Sequence, residues 1–372
     1  MKNCIGIVKS PDLLANNYSI LTKNRPDYML PYGGRYRVVD FTLSNLSEHG
    51  IEKVLVYAGL NIRSTLDHIA SGKNWGLDRR VDGLMINPPG YDRFGNTESQ
   101  LMTLYNSLRF FKDARQEYVY LTNPMVITRI DITKAYKEFI DNDYDVMFLY
   151  RSQKDLEGDF INARNLIMDE DGELKNVGLH LGTEDVFNMF VEDMFIKKDV
   201  FIDVVTKGIE RGNATTLIDA IFSEPNLKLG TLEIFRHVEY IRDLISFYKS
   251  NLNLLNYGIY ADLMLAGEGI RTKTKDEPSS LYLEDNKASN SIVANGCIIN
   301  GEVENSVVFR GAKIGKGAII KNSIIFQKAV IEENAVVINA VVDKNAVIKE
   351  GVFVQGSSNN PYVVEKNMVV EK

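Results

Sequence analysis

The strongest constraint in this chain is a repeat near its C-terminus. The triplets Asn305-Ser306-Val307, Asn322-Ser323-Ile324 and Asn339-Ala340-Val341 recur every 17 residues. Stepping by 6, 6 and 5 within each repeat meets Val308, Ile314 and Ile320, then Ile325, Ile331 and Val337, then Val342, Ile348 and Val354. All nine are Val or Ile. β-Branched residues at this spacing, separated by small turn formers such as Gly311 and Gly317, fit a coil with three flat sides that each turn one side chain inward. The reading is a left-handed parallel β-helix of hexapeptide repeats. One repeat earlier the same positions hold Ser291, Cys297 and Val303, a degraded coil of the kind that caps such a stack.

Upstream the period changes. Residues 1 to about 270 alternate short apolar runs with helix-like stretches, the pattern of a parallel sheet covered by helices on both faces. Strands are expected over residues 5–8, 53–58, 118–122 and 146–150, and helices around 41–49, 64–69, 100–111 and 132–140. In such a Rossmann-like α/β arrangement, ligands bind beyond the C-terminal ends of the strands. A charged stretch of low apolarity, residues 271–287, reads as a link. The expected organisation is an α/β domain over 1–270, the link, and the β-helix over 288–372.

Composition narrows the function classes. A chain of 372 residues with 45% hydrophobic side chains is long enough to bury two cores. No run approaches 18 apolar residues, and the N-terminal MKNCIGIVKSPDLL reaches Ser, Pro and Asp before a signal-peptide core could form. Neither membrane span nor signal peptide is expected, and the cytoplasm is the expected compartment. Cys4 and Cys297 are too few for a disulfide framework or a cysteine zinc site and read as buried small hydrophobes. A net charge of −7 argues against nucleic acid or an anionic membrane as partner. It leaves room for a local phosphate site.

Three segments resemble one family. PYGGRYRVVDFTLSNLSEHGI (residues 31–51) is similar to the signature after the nucleotide loop of ADP-glucose pyrophosphorylases, also called glucose-1-phosphate adenylyltransferases. LDHIASGKNWGLDRR (66–80) resembles the stretch that follows it, and SIVANGCIINGEVENSVVFRGAKIGKGAIIKNSIIFQ (291–327) resembles the start of that family's β-helix. The resemblance implies a nucleotidyltransferase domain of the GT-A type. It also implies a reaction in which glucose 1-phosphate attacks the α-phosphorus of ATP, releasing pyrophosphate and supplying ADP-glucose for glycogen. Such chemistry needs backbone donors around the phosphates, a cation on the departing pyrophosphate, and carboxylates that hold magnesium.

The sequence departs from the family at those places. No glycine occurs from Ile7 through Tyr32, so the family's glycine-rich phosphate loop is missing, with Pro11 and Asp12 in its stead. The resemblance puts Asp27 where the family carries its catalytic lysine, an anion where the triphosphate needs a cation. It puts Pro124, preceded by Asn123, where one magnesium aspartate would stand, and Tyr240 where the second would, with Asp243 three residues away. Leu179, followed by His180, falls where a lysine would grip the sugar phosphate. No catalytic residue and no bound metal or cofactor is therefore expected of this chain, and magnesium is expected at a catalytic partner.

What the resemblance then implies is a regulatory subunit that assembles with a homologous catalytic subunit, or with itself when alone. A phosphorylated-sugar effector would be sought among Arg25, Arg35, Arg37, Arg63, Lys73 and Arg79. The competing readings are an active nucleotidyltransferase with altered site residues, a stand-alone sugar-phosphate sensor, and a hexapeptide acyltransferase. The last needs a histidine on the coils, whereas His49, His68, His180 and His237 all lie outside them.

Overall fold

In the computed structural model, which describes residues 1–9, 18–91 and 98–371, contacts gather the chain into two units. One takes the described residues of Met1–Leu13, Phe41–Ile62 and Ile69–Val238, and the other those of Leu14–Asp40, Arg63–His68 and Glu239–Lys372. The second unit thus recruits two short stretches from far upstream. No shift in composition marks them, because they lie within the α/β sequence pattern.

The first unit is built on a sheet whose parallel part runs in the order β3-β2-β1-β4: β1 (Cys4–Val8), β2 (Lys53–Tyr57), β3 (Leu84–Asn87) and β4 (Tyr118–Thr122). Beyond it come β5 (Val146–Lys154), β6 (Arg164–Met168), β7 (Leu174–Leu179), β8 (Val186–Lys197) and β9 (Leu229–Glu233). β8 pairs antiparallel with β4 and with β5, β9 joins β5 in parallel, and β6 and β7 form an antiparallel pair that touches β8. The run CIGIV of β1 is buried along its whole length, as a strand covered on both faces must be. Gly6 serves that packing directly, since a Cβ there would stand 3.1 Å from Ile51 Cγ2.

In chain order the helices of the first half are α1 (Val38–Glu48), α2 (Ile62–Ile69), most of which belongs to the second unit, α3 (Gln100–Asn106), α4 (Leu108–Lys112) and α5 (Ile132–Asp141). The single helix expected over 100–111 is broken at Ser107, whose hydroxyl donates back to Thr103 O at 2.9 Å and competes with the helical ladder. The strand expected over 146–150 continues to Lys154. Later come α6 (Lys198–Arg211) and α7 (Leu217–Phe222). Phe111, Phe148, Phe190 and Phe201 sit in the core between helices and sheet.

In the second unit the coils stack as read. All nine inward Val and Ile positions are at most 4% exposed and share one core with Cys297 and Val303. Ser291 instead begins a ladder: its Oγ accepts from Ser306 N at 3.1 Å, Ser306 Oγ from Ser323 N at 3.0 Å, and Ser323 Oγ from Ala340 N at 3.2 Å. The neighbouring Asn290, Asn305, Asn322 and Asn339 have φ between 39° and 48°, a left-handed corner that asparagine tolerates better than most residues. This accounts for the recurring Asn. One correction concerns the link: its Leu281–Tyr282 is already a β-helix strand, paired with Ile298–Ile299. Both residues are about half exposed at the edge of the stack, so the segment carries no inward apolar signature.

One outer face of the coils is covered from within the same unit. Val307, Ile324 and Val341 point outward yet are fully buried. Over them lies α8 (Leu244–Asn253), whose Phe247 ring meets Phe326 at 6.3 Å and whose Tyr248 hydroxyl donates to Asn322 O. No helix among the described residues is long and apolar enough to cross a membrane. The inward and outward positions of one strand should differ sharply on truncation. Ile320→Ala is expected to cost about 3 kcal/mol and Ile319→Ala under about 1 kcal/mol, read from the β-helix transition in urea titrations.

Candidate functional site

β1 ends at Val8 and β4 at Thr122, and the chain leaves both strands side by side, with Lys9 N donating to Thr122 O at 2.8 Å. This is the C-terminal edge at which α/β folds place ligands. β8 supplies the third wall through a bulge. Its pairing with β5 shifts between Phe190 and Met194, and Glu192 inside the bulge adopts φ 59°, rare for a glutamate. Glu192 and Asp193 are each 4% exposed as a result.

The two adjacent carboxyl groups behave oppositely. Glu192 accepts from Lys9 Nζ at 2.6 Å and from Asn123 Nδ2 at 3.2 Å, and pairs with Arg164 Nε at 3.3 Å. Burial alone would raise its pKa, but Lys9 and Arg164 outweigh burial and hold it at about 2. Asp193 has no such cation. Burial pushes it up to about 7, opposed by the Thr122 and Tyr120 hydroxyls and the Asn123 N–H, with Glu192 adding repulsion. The strand ends thus hold two cations engaged by one carboxylate of the same chain.

The positions singled out by the resemblance carry other duties. Asp27 lies in a short 3-10 turn, Asp27–Met29, where its Oδ1 accepts from Tyr28 N at 2.7 Å. Pro124 is buried immediately after Asn123, and Leu179 is 56% exposed at the end of β7. Tyr240 is half-buried with the Arg242 guanidinium 5.6 Å from its ring centre. Asp243 caps α8, accepting from Ser246 N at 2.7 Å, so its carboxylate is engaged locally. His180 is 2% exposed, stacked on Phe187 at 3.8 Å and paired with Asp155 at 3.2 Å. Pro11 and Asp12 lie outside the described residues. Neither Pro124 nor Tyr240 offers a carboxylate, so these two positions do not fit a magnesium ion. Among the described residues no three His, Cys, Asp or Glu gather where they could share a metal.

The six candidate cations divide. Arg25, Arg35, Arg37 and Arg63 belong to the second unit, Lys73 and Arg79 to the first. Arg25 is buried with one guanidinium nitrogen 2.7 Å from both oxygens of Asp343. Arg37 donates to Met29 O at 2.5 Å, and burial, with Arg25 adding repulsion, lowers it to about 10. Arg35 is exposed with its guanidinium 5.5 Å from the Tyr36 ring centre. Arg63 is 94% exposed beside Asp67, Lys73 is exposed in a short turn, and Arg79 pairs with Glu52 at 2.8 Å.

Sequence reasoning missed the cations that accompany Arg35 and Arg37. Burial pushes Lys275 below its ordinary value, and Arg310, Arg37 and Lys273 push it further, with Glu277 opposing. Burial lowers Lys344 too, helped by Lys275, Lys366, Arg37 and Lys328, and it lowers Arg310, helped by Arg35. These residues share one field of like charge. They come from the N-terminal stretch, the link and separate coils, so no local run of basic residues announces them.

Two family descriptions match this chain: "Nucleotidyl transferase" over residues 19–158 and "GlmU-like, C-terminal hexapeptide" over residues 280–361. The chain is 34% identical over 352 residues to "Glycogen biosynthesis protein GlgD" of Geobacillus stearothermophilus, covering 94% of this chain and 92% of that protein. It is 27% identical over 307 residues to the protein of the same name from Bacillus subtilis, covering 81% and 78%. "Glucose-1-phosphate adenylyltransferase" of Clostridium perfringens is 28% identical over 335 residues, again covering 81% and 78%.

The Glu192 cluster has a signature in acid. Its pKa lies below the ordinary 4.5, so its stabilisation is complete above pH 4.5 and is lost as pH falls toward 2. The expected loss is about 3 kcal/mol. Glu192→Gln should be less stable than the parent at pH 7 and show a flatter profile between pH 4.5 and 2, read by denaturant unfolding at each pH.

Proposed function

This chain belongs to the family of glycogen biosynthesis protein GlgD and the glucose-1-phosphate adenylyltransferases, and from that premise we propose that it is a catalytically deficient, regulatory subunit. It works in the cytoplasm in complex with a catalytic homologue and modulates the synthesis of ADP-glucose from ATP and glucose 1-phosphate for glycogen. Magnesium is held by the catalytic partner. An interface that once joined identical subunits needs little change to join homologous ones, and the chain can also associate with itself when alone.

The observation that carries this reading is the closed ion-pair cluster at the strand ends. Lys9 and Arg164, at the strand ends, are both drawn onto the one buried carboxylate of Glu192. A triphosphate entering there would have to break those pairs and face the glutamate, at a cost of several kcal/mol. Catalysis asks for the reverse, roughly 8 kcal/mol or more of transition-state stabilisation from cations and metal. Asp27, Pro124, Leu179 and Tyr240 add none.

A regulatory role finds support in the second unit. The mutual repulsion among Arg35, Arg37, Lys275, Arg310 and Lys344 is relieved by an anion with more than one phosphate, which makes a phosphorylated sugar the fitting effector class. Arg25, paired with Asp343, adds to the repulsion felt by Arg37.

The test is reconstitution with a glycine-loop homologue of the same family. The chain alone, given ATP, glucose 1-phosphate and magnesium, should release no pyrophosphate above background. Mixed with the homologue, it should change that enzyme's substrate saturation. Pyrophosphate release by the chain alone at an ordinary enzyme's rate would instead favour an active nucleotidyltransferase with altered residues, and an unchanged partner would remove the regulatory role. In the mixed enzyme, Arg35→Ala or Lys275→Ala should weaken the response to a bisphosphorylated sugar about tenfold.

A further inference from the structure

Beside the Glu192 cluster the first unit holds a small, partly open cavity of about 10 Å³, room for one water-sized guest. Its polar lining comes from Thr42 and Asn45 of α1, Tyr120 and Thr122 of β4, Thr128 and Asp193. Asn45 Oδ1, Tyr120 OH, Thr128 Oγ1 and Asp193 Oδ1 are buried without a hydrogen bond of regular geometry. The four residues are 7%, 1%, 5% and 4% exposed. Asn45 Oδ1 and Thr128 Oγ1 are orphaned, and Tyr120 OH faces Asp193 only at poor geometry; four oxygens so under-satisfied around one small space are costly unless something there completes their bonds.

We propose that this cavity binds one dehydrated monovalent cation, of the sodium or potassium class, held by the Asp193 carboxylate and the oxygens of Asn45, Tyr120 and Thr128. Every one of these atoms is an oxygen, the donor type that hard cations take. One carboxylate matches one positive charge. A calcium-sized divalent ion asks for six to eight oxygens and usually more carboxylates, and the cavity offers neither. A water molecule would satisfy the hydroxyls but leave the buried negative charge uncompensated. The side chains of Lys9 and Arg164 cannot compensate it, because both are tied to Glu192.

The proton is the natural competitor. The groups that face Asp193 are the Tyr120 and Thr122 hydroxyls and the Asn123 N–H from β4 and its end, and Glu192 on its own strand. Its pKa is raised to about 7, so in the absence of a cation Asp193 weakens the fold progressively as pH rises from about 4 to about 7. Cation binding offsets that loss above pH 7 and gives way to protonation below it.

Thermal unfolding of the full chain at pH 8 in sodium, potassium or choline chloride of equal ionic strength tests this. Sodium or potassium is expected to raise Tm over choline by a few degrees, with saturation. Asp193→Asn and Thr128→Val should lose the saturable rise, and Asp193→Asn should melt in choline no lower than the parent. At pH 5.5 the rise should shrink toward zero in the parent. Equal Tm in all three salts would overturn the proposal and leave the cavity to water. A saturable rise undiminished in both variants, or undiminished at pH 5.5, would overturn it as well.

Discussion

Glu192 is where the first unit is tied together. It sits in a bulge of β8, and its carboxylate gathers Lys9 from the end of β1, Asn123 from the end of β4 and Arg164 from β6. A buried carboxylate is tolerated only if its charge is met, and here two cations and an amide meet it. The left-handed φ of Glu192 is the conformational cost of aiming a long acidic side chain at those partners. The geometry of the strand ends follows from this one irregular turn.

The same turn explains why two neighbouring acids have contrary chemistry. Glu192 points to cations and stays ionised far into acid, while Asp193 points to hydroxyls and a small, partly open cavity and holds its proton near neutrality. A triphosphate bound at strand ends needs open cationic space there. In this chain Lys9 and Arg164 are held there by Glu192, while a field of mutually repelling cations gathers in the second unit around Arg37, Lys275 and Lys344.

How much of this was legible depended on how local the determining pattern is. The β-helix could be read because Val308, Ile314, Ile320 and their successors repeat within a few dozen residues, and each position answers only to its own coil. The α/β strands and helices followed from apolar runs, with errors where one side chain intervened, as Ser107 does in splitting α3 from α4. The strand at Leu281–Tyr282 escaped notice because its side chains face outward. That Asp27 is an acid and that Pro124 and Tyr240 carry no carboxylate could be read directly from the sequence. What stands at the strand ends could not, since Lys9 meets Glu192 across 183 residues through a bulge that no periodicity announces. The stretches that join the second unit were hidden for the same reason.

The pair Arg25–Asp343 also bears on how the molecule comes into being. Its members are 318 residues apart, and both end up buried. At the usual pace of translation, Arg25 emerges roughly 15–60 s before its partner exists. During that interval the N-terminal stretch has no β-helix to rest on, although the strands of the first unit are already available to pair. Birth of this protein is therefore staggered: a segment made early must wait, exposed to chaperones and proteases, for coils that are made some three hundred residues later.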